Sequence, residues 1–172
     1  SSNARFAMSG AWTILSWLDI SWTGTSTAYE ALRYIDVVNH CLIHDVTLNY
    51  TGATWRQVGV MCRQVHNNII YDINRTADNN YPLYGIFCDG SYKMANQNTV
   101  YNVNSVGDGA TTYGIYMNFS WDNAAQLSNN ISMGTTNAGT GSTVLDIKAA
   151  SGSSSRFATN MSSDSGSSVG AD

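Results

Sequence analysis

The chain has 172 residues, of which 43% are apolar and 12% charged, and its formal net charge is −4. It contains one Glu and two Lys, so the helix formers that usually coat helix surfaces are nearly absent. The acidic balance provides no electrostatic surface for nucleic acid, and no apolar run reaches the roughly 18 residues of a membrane span.

Residues 1–30 match the rest of the chain weakly and predict an initial coil or a cap. Within them, the run that begins at Leu18 resembles the run that begins at His44. This alignment places Asp19 at the same strand position as Asp45.

Residues 31–148 contain a repeat, which predicts regular coils. Three short apolar segments align on Gly59, Gly85 and Gly114, at spacings of 26 and 29 residues. A weaker copy covers residues 144–147. Each copy predicts a strand that opens a coil.

A second segment follows each of these and aligns on an asparagine. The aligned residues are Asn68, Asn98, Asn130 and Asn160, at spacings of 30, 32 and 30 residues, and Cys41 holds the same position one period earlier. The recurrence predicts an asparagine ladder at a bend, where each side-chain amide bonds the backbone of the bend and the amide of the next coil.

Two strand signals per period of 26–32 residues, without a helix signal, exclude βαβ units. A barrel or sandwich would not repeat like residues one period apart, whereas a solenoid stacks them about 4.8 Å apart. The sequence therefore predicts an all-β, right-handed parallel β-helix of about five coils. The expected inward rows are Val60, Ile86 and Ile115; Cys62, Cys88 and Met117; and Ile43, Ile70 and Val100. The odd number of cysteines and their spacing favour small buried side chains over disulfides or zinc.

The Ser-rich residues 149–172 predict a weak last coil or a linker. Residues 1–172 are thus expected to form a single β-helix domain that is a fragment of a longer chain.

The motifs Gly114-Ile115-Tyr116 and Asn67-Asn68-Ile69 resemble generic coils of the right-handed parallel β-helix repeat superfamily, the pectate-lyase-like group. The resemblance covers about residues 30–165. It implies the fold but not a reaction, because this superfamily includes polysaccharide lyases, hydrolases, phage tailspikes and surface proteins.

Acidic residues supply the weak catalytic candidates, Asp45 and Asp72. With Asp19 they recur at spacings of 26 and 27 residues. Stacked carboxylates would repel unless a cation lay between them, so calcium is expected only if the chain is a lyase. A glycosidase would use Asp45 and Asp72 as its carboxylate pair. Outward polar residues at strand ends explain the same pattern, so the sequence favours a protein without catalysis, cofactor or metal.

Outward aromatic residues on a rigid face would offer stacking surfaces to sugar rings. Tyr71 and Tyr101 share one stacked position, with His44 one coil earlier, and Tyr116 and Trp121 are further glycan-binding candidates. Packing against loops or a neighbouring chain is the alternative.

Two of the five Asn-x-Ser/Thr sequons, at Asn49 and Asn74, fall in expected turns and are the glycosylation candidates. The sequons at Asn130 and Asn160 belong to the expected ladder and are set aside.

Low charge, the ladder and the lack of a concentrated catalytic set predict a structural β-helix scaffold. It would belong to an extracellular fibre, filament, adhesin or virion-surface protein, and would assemble with its own copies or bind a glycan. The alternatives are a lyase or glycosidase acting on an acidic glycan, and a non-catalytic glycan-binding module. Neither nucleic-acid binding nor membrane insertion is expected.

Overall fold

Short β-strands recur along the chain at the expected period. The computed structural model describes residues 6–7, 13–21, 30–51, 56–89, 92–118, 125–149 and 156–162, and no helix occurs among them. In chain order the strands are β1 (Phe6–Ala7), β2 (Ile14–Ser16), β3 (Asp19–Ser21), β4 (Glu30–Asn39), β5 (Leu42–Leu48), β6 (Gln57–His66), β7 (Ile69–Arg75), β8 (Leu83–Cys88), β9 (Met94–Asn96), β10 (Thr99–Ser105), β11 (Thr111–Met117), β12 (Gln126–Ser128), β13 (Ile131–Met133), β14 (Thr136–Asn137), β15 (Thr143–Ala149), β16 (Arg156–Ala158) and β17 (Met161–Ser162).

Strands pair in parallel with their counterparts in adjacent turns, and they lie on three faces. Face A contains β1, β8, β11, β15 and the first halves of β4 and β6. Face B contains β2, β9, β12, β16 and the second halves of β4 and β6, so faces A and B form one sheet. Face C contains β3, β5, β7, β10, β13, β14 and β17. The fold is a parallel β-solenoid of about four turns, compared with the about five coils predicted.

The core contains the three inward rows that the sequence predicted, together with further buried apolar residues of all three faces. All nine of the predicted residues are at most 3% exposed, and successive members of each row pair between adjacent strands. Leu32 and Ile147 extend the first row at its two ends. Each turn adds one apolar side chain to the first two rows, whereas the third row is apolar as far as Val100 and continues with Ser132. Hydrophobic stabilisation therefore accrues turn by turn.

The glycines that open the coils let face C pack against the backbone of face A. At Gly85 a Cβ would lie 2.6 Å from the carbonyl oxygen of Gly114 and 2.8 Å from Cγ2 of Val103. A Cβ at Gly59 would lie 2.9 Å from the carbonyl oxygen of Gly85. In β15, the position equivalent to these glycines is Asp146. The repeated glycine is therefore required by the narrow interior.

The bend between faces B and C is made by a column of residues with left-handed backbone. Their φ angles lie between 52° and 60°. Such angles are uncommon for residues other than Gly, Asn and Asp. The column consists of Trp17, His40, Asn67, Gln97, Asn129 and Thr159. Asn and His are enriched at such angles, but Trp17, Gln97 and Thr159 are of types without that preference, so the stacking of the turns imposes the conformation.

A second left-handed column crosses the middle of face C, at Asp45, Asp72 and Asn102 and then at Gly134. A left-handed residue interrupts the alternation of inward and outward side chains along a strand. As a result Ile43 and Val46, three positions apart, both face the core.

The first turn has a different register from the predicted one. Asp19 pairs with Leu42, three residues before Asp45, and Ser21 pairs with His44. The prediction that Asp19 shares the strand position of Asp45 and Asp72 is therefore wrong, although Asp45 and Asp72 do share it. The bend determines the register, because Trp17 lies in the left-handed column and its ring stacks on His40 at 4.3 Å.

Candidate functional site

The predicted asparagine ladder is present along the bend between faces B and C. The Oδ1 atom of Asn98 accepts hydrogen bonds from the backbone N–H and from Nδ2 of Asn68, at 3.2 and 3.0 Å. The same two bonds join Asn98 to Asn130 and Asn130 to Asn160. Cys41 begins the series by donating its N–H to Asn68 at 2.9 Å. The ladder therefore links successive turns by side-chain hydrogen bonds.

Each ladder asparagine also bonds the backbone of the preceding turn. Nδ2 of Asn98 donates to the carbonyl of Val65 at 3.0 Å, and Nδ2 of Asn130 donates to that of Ala95 at 2.7 Å. Both asparagines are at most 1% exposed. Buried polar groups need such partners, so the ladder pairs the polar atoms that the bend takes out of water.

The outer side of face C carries three rows in register, which we call the face C surface. The first row is His44, Tyr71, Tyr101 and Met133; the second is Asp45, Asp72, Asn102 and Gly134; the third is Thr47, Asn74, Asn104 and Thr136. The polar rows are hydrogen-bonded along the axis. Asn104 donates to Oδ1 of Asn74 at 3.0 Å, Thr136 donates to Oδ1 of Asn104 at 2.6 Å, and Asn102 donates to Oδ1 of Asp72.

The aromatic rings of the first row stack on each other. The rings of His44 and Tyr71 are parallel within 7° at a centroid distance of 5.0 Å. One ring face of Tyr71 is thus covered by His44. The predicted stacking surface for sugars is smaller than expected, and half-exposed Tyr101 is the more accessible of the two tyrosines.

His44 is held between two carboxylates. Its Nδ1 lies 2.7 Å from Oδ2 of Asp45, and its Nε2 lies 2.9 Å from Oδ1 of Asp19. The hydrogen bond to Asp45, followed by that to Asp19, raises the pKa of His44. Each ring nitrogen of His44 thus has a carboxylate partner.

Asp45 and Asp72, the weak catalytic candidates, lie next to each other on β5 and β7. Asp45 contacts His44 and Asp72 contacts Asn102, and the Asp45 side chain is 52% exposed. A glycosidase pair usually keeps one carboxyl group in apolar surroundings, which Asp45 lacks. Among the residues that the structure describes, no group of three or more His, Cys, Asp or Glu side chains could hold a metal ion. The lyase and glycosidase alternatives gain no support from these contacts.

Face A carries an outer aromatic cluster, which we call the face A cluster. Tyr84 stacks on Tyr113 at 4.9 Å and Phe87 stacks on Tyr116 at 5.6 Å, and the two stacks meet edge to face. The guanidinium of Arg56 lies 4.7 Å above the ring of Phe87. Burial raises the pKa of Tyr84, Tyr113 and Tyr116, so the three phenols remain protonated at neutral pH.

Tyr116, a predicted glycan contact, belongs to this cluster, and Trp121 lies outside the described residues. A cavity of about 150 Å³ is lined by Tyr116, Arg56, Tyr84, Phe87 and Asn118. Small-molecule pockets usually exceed roughly 300 Å³. Because Phe87 contacts both Arg56 and Tyr116, the cluster is mainly packed against itself.

Glu30 is the only glutamate of the sequence, and it is buried beside the face A cluster. Its carboxylate contacts Nε of Arg33 at 2.9 Å and Nη2 of Arg56 at 3.3 Å. The sequence reasoning missed this ion network. A single Glu in a chain so poor in charge was the signal that could have pointed to it.

Two further buried cations were also missed. Arg75 occupies an inward position of face C next to Leu48, and it donates to Asn79 and to the carbonyl of Tyr81. Burial lowers its pKa to about 10. Lys93, just before β9, is fully buried as well. Neither position differs from a surface residue by sequence pattern alone.

The two glycosylation candidates have different surroundings. Asn49 follows β5 and is partly exposed, whereas Asn74 lies inside the face C surface, where it bonds Asn104 and the carbonyl of Asp72. A glycan on Asn74 would replace a hydrogen of Nδ2, the atom that donates to the carbonyl of Asp72. Of the pair, Asn49 is therefore the better placed acceptor.

A second cavity, of about 470 Å³, lies within the first turn. Its lining is mainly apolar and includes Ile20, Leu32, Ile43 and Val46. β3 has three residues where β5 has seven, so the described part of face C fills less of the interior there.

Comparison with known proteins finds no match to a family model, to a curated protein or to a solved structure. The described residues contain no helix that is long and apolar enough to cross a membrane. Function must therefore be argued from the geometry.

Proposed function

We propose that the chain is a rigid structural module of an extracellular fibre, filament, adhesin or virion-surface protein. The observation that carries this proposal is the asparagine ladder, which continues without interruption from Asn68 to Asn160. Backbone pairing, apolar rows and the ladder all join each turn to the next. A module bonded in this way along its axis resists bending and local opening.

The outward side chains support the same proposal. Rings on faces A and C stack along the axis, and the amides of face C bond one another. These groups stiffen the surface. Residues in a catalytic centre would instead converge on a cleft.

Immunogold electron microscopy of intact particles or cells of the source would test the proposal. Antibodies raised against the folded chain should label projecting fibres, spikes or the outer surface. Labelling only after the particles are opened would contradict it. A serum raised against an interior protein of the same source serves as the control.

A second candidate function, binding of a neutral or acidic glycan, is favoured by the face C surface. Its amide and hydroxyl row, with partly buried Asn74 and Asn104 and exposed Thr136, lies beside half-exposed Tyr101. Such a strip can bond sugar hydroxyls through the amides and contact sugar C–H groups at the ring.

A glycan array probed with the Tyr71→Ala/Tyr101→Ala double variant would test this second function. Binding should fall at least tenfold in the variant and persist in Tyr92→Ala, which removes a more exposed tyrosine that precedes face B. Equal binding by the two variants would show that the face C surface is not the binding site.

A further inference from the structure

Two of the three cysteines face each other across adjacent turns. Cys62 on β6 and Cys88 on β8 are directly paired in register, and both are free and buried. Neighbouring strands lie about 4.8 Å apart. Disulfides usually join Cα atoms separated by roughly 4.4–6.8 Å, so the backbone spacing is compatible with a bridge.

The two side chains point in the same direction. They belong to one inward row, with Ile35 before them and Met117 after them. The neighbouring Cys88 thiol, followed by burial, raises the pKa of Cys62. The two thiols are therefore neighbours within the core, on adjacent turns.

Cys41 is separated from this pair by its place in the fold. It holds the ladder position at the bend between faces B and C, and its Sγ lies 3.2 Å from the carbonyl oxygen of Asn39. The three thiols thus divide into one adjacent pair and one single residue, which provides an internal control.

We propose that Cys62 and Cys88 form a disulfide between adjacent turns when the chain folds in an oxidising environment that contains a low-molecular-weight disulfide. One thiolate attacks the small disulfide, forms a mixed disulfide and releases one small thiol. The second thiolate attacks the protein sulfur of that mixed disulfide and displaces the second small thiol. Two S–H bonds are lost from the protein, and two small thiols are produced in their place.

Folding is the stage at which the bond forms. In the folded chain both thiols are buried and Cys62 favours its protonated form, so exchange with an external disulfide is slow. The inference is independent of the fibre proposal, because it concerns the isolated chain.

In the test, the reduced chain is refolded in a buffer of oxidised and reduced glutathione. Free thiols are then blocked with an alkylating reagent under denaturing conditions, and the alkylated cysteines are counted by mass spectrometry. We expect one free thiol per chain, at Cys41, and a proteolytic fragment that joins the Cys62 and Cys88 peptides and is lighter by two hydrogen atoms. Refolding with a reductant should leave three. Three free thiols after oxidative refolding, or a bridge that includes Cys41, would overturn the proposal.

Alanine variants provide the matched controls, because Ala149 already occupies the same row. After oxidative refolding, Cys62→Ala and Cys88→Ala should each retain two free thiols, and Cys41→Ala should retain none. The bridged chain must also keep the circular dichroism spectrum of the reduced chain. A bridge found only in protein with an altered spectrum would count against the proposal.

Discussion

The contribution of a side chain to the stability of this solenoid depends on the hydrogen bonds that it makes along the axis. A ladder asparagine pairs with the turn before it and with the turn after it, so its loss affects three turns at once. Asn96, on the outside of the same turn as Asn98, has a side-chain bond to the following turn alone. This difference leads to the first prediction.

Asn98→Ala should lower the free energy of unfolding by about 3 kcal/mol, because it removes two donated bonds and leaves the buried N–H of Asn68 without its acceptor. Asn96→Ala, in the same turn, removes only the acceptor of a bond from Ser128 and should cost less than about 1 kcal/mol. Urea unfolding followed by circular dichroism measures both. Equal losses would mean that the ladder adds no more than an ordinary partly buried hydrogen bond.

Histidine titration should distinguish two sites. The pKa of His44 is raised by its bonds to Asp45 and Asp19, and that of His66 is lowered by burial and then by His40. The contribution of protonated His44 to stability is complete below about pH 6.5 and is lost as the pH rises through its raised pKa. Two-dimensional NMR should show His66 losing its proton at a lower pH than His44.

The Asp19→Asn/Asp45→Asn variant is the control for this order. It should return the pKa of His44 toward its ordinary value and leave that of His66 unchanged. A His44 titration that does not respond to the two substitutions would show that the carboxylates do not hold the ring.

At the scale of strands and bends, the features that could be predicted from the sequence are those whose residue types recur from turn to turn. Gly85 and Asn98 were found because stacking favours the same residue type at the same place in successive turns. The left-handed positions at Trp17 and Gln97 were not predictable, since their conformation comes from the turns above and below and not from their own preference. For the same reason local similarity gave the wrong register for Asp19.

The candidate site was less predictable than the fold. The positions of Tyr71 and Tyr101 followed from the alternation of the strand. Their availability to a ligand did not, because it depends on how rings in neighbouring turns lie against each other. Burial of Arg75 and Glu30 likewise depends on packing that leaves no periodic trace in the sequence.

The face C strands also differ in how apolar their inward side is. Thr135, just before β14, stacks under Val103 of β10, and its hydroxyl is buried without a hydrogen-bond partner. Thr135→Val should raise the free energy of unfolding by about 1 kcal/mol, because it removes a buried polar group without changing the shape of the side chain. Val103→Thr, the reverse exchange one turn earlier, should lower it by about 1–2 kcal/mol. Thermal unfolding of both variants measures the pair, and a loss of stability in Thr135→Val would contradict the argument.

At the scale of the whole molecule, each turn contacts only the turns next to it. Central turns are supported on two sides, whereas an end turn is supported on one side, so stability should decrease toward the ends. Hydrogen exchange followed by mass spectrometry should show the slowest exchange in β6, β7 and β8 and faster exchange in β3 and β17. Uniform exchange along the chain would show that the turns unfold as a single unit.

The bend from face A to face B and the bend from face B to face C differ in how much their length varies from turn to turn. From face A to face B, the chain takes one residue in β6, the five residues 89–93 after β8 and the eight residues 118–125 after β11. From face B to face C, it always takes the left-handed residue and the ladder residue, and nothing more. Foreign peptides inserted at the first bend should therefore be displayed on the surface without disturbing the stack, whereas a single residue added beside Asn98 would shift every later turn out of alignment.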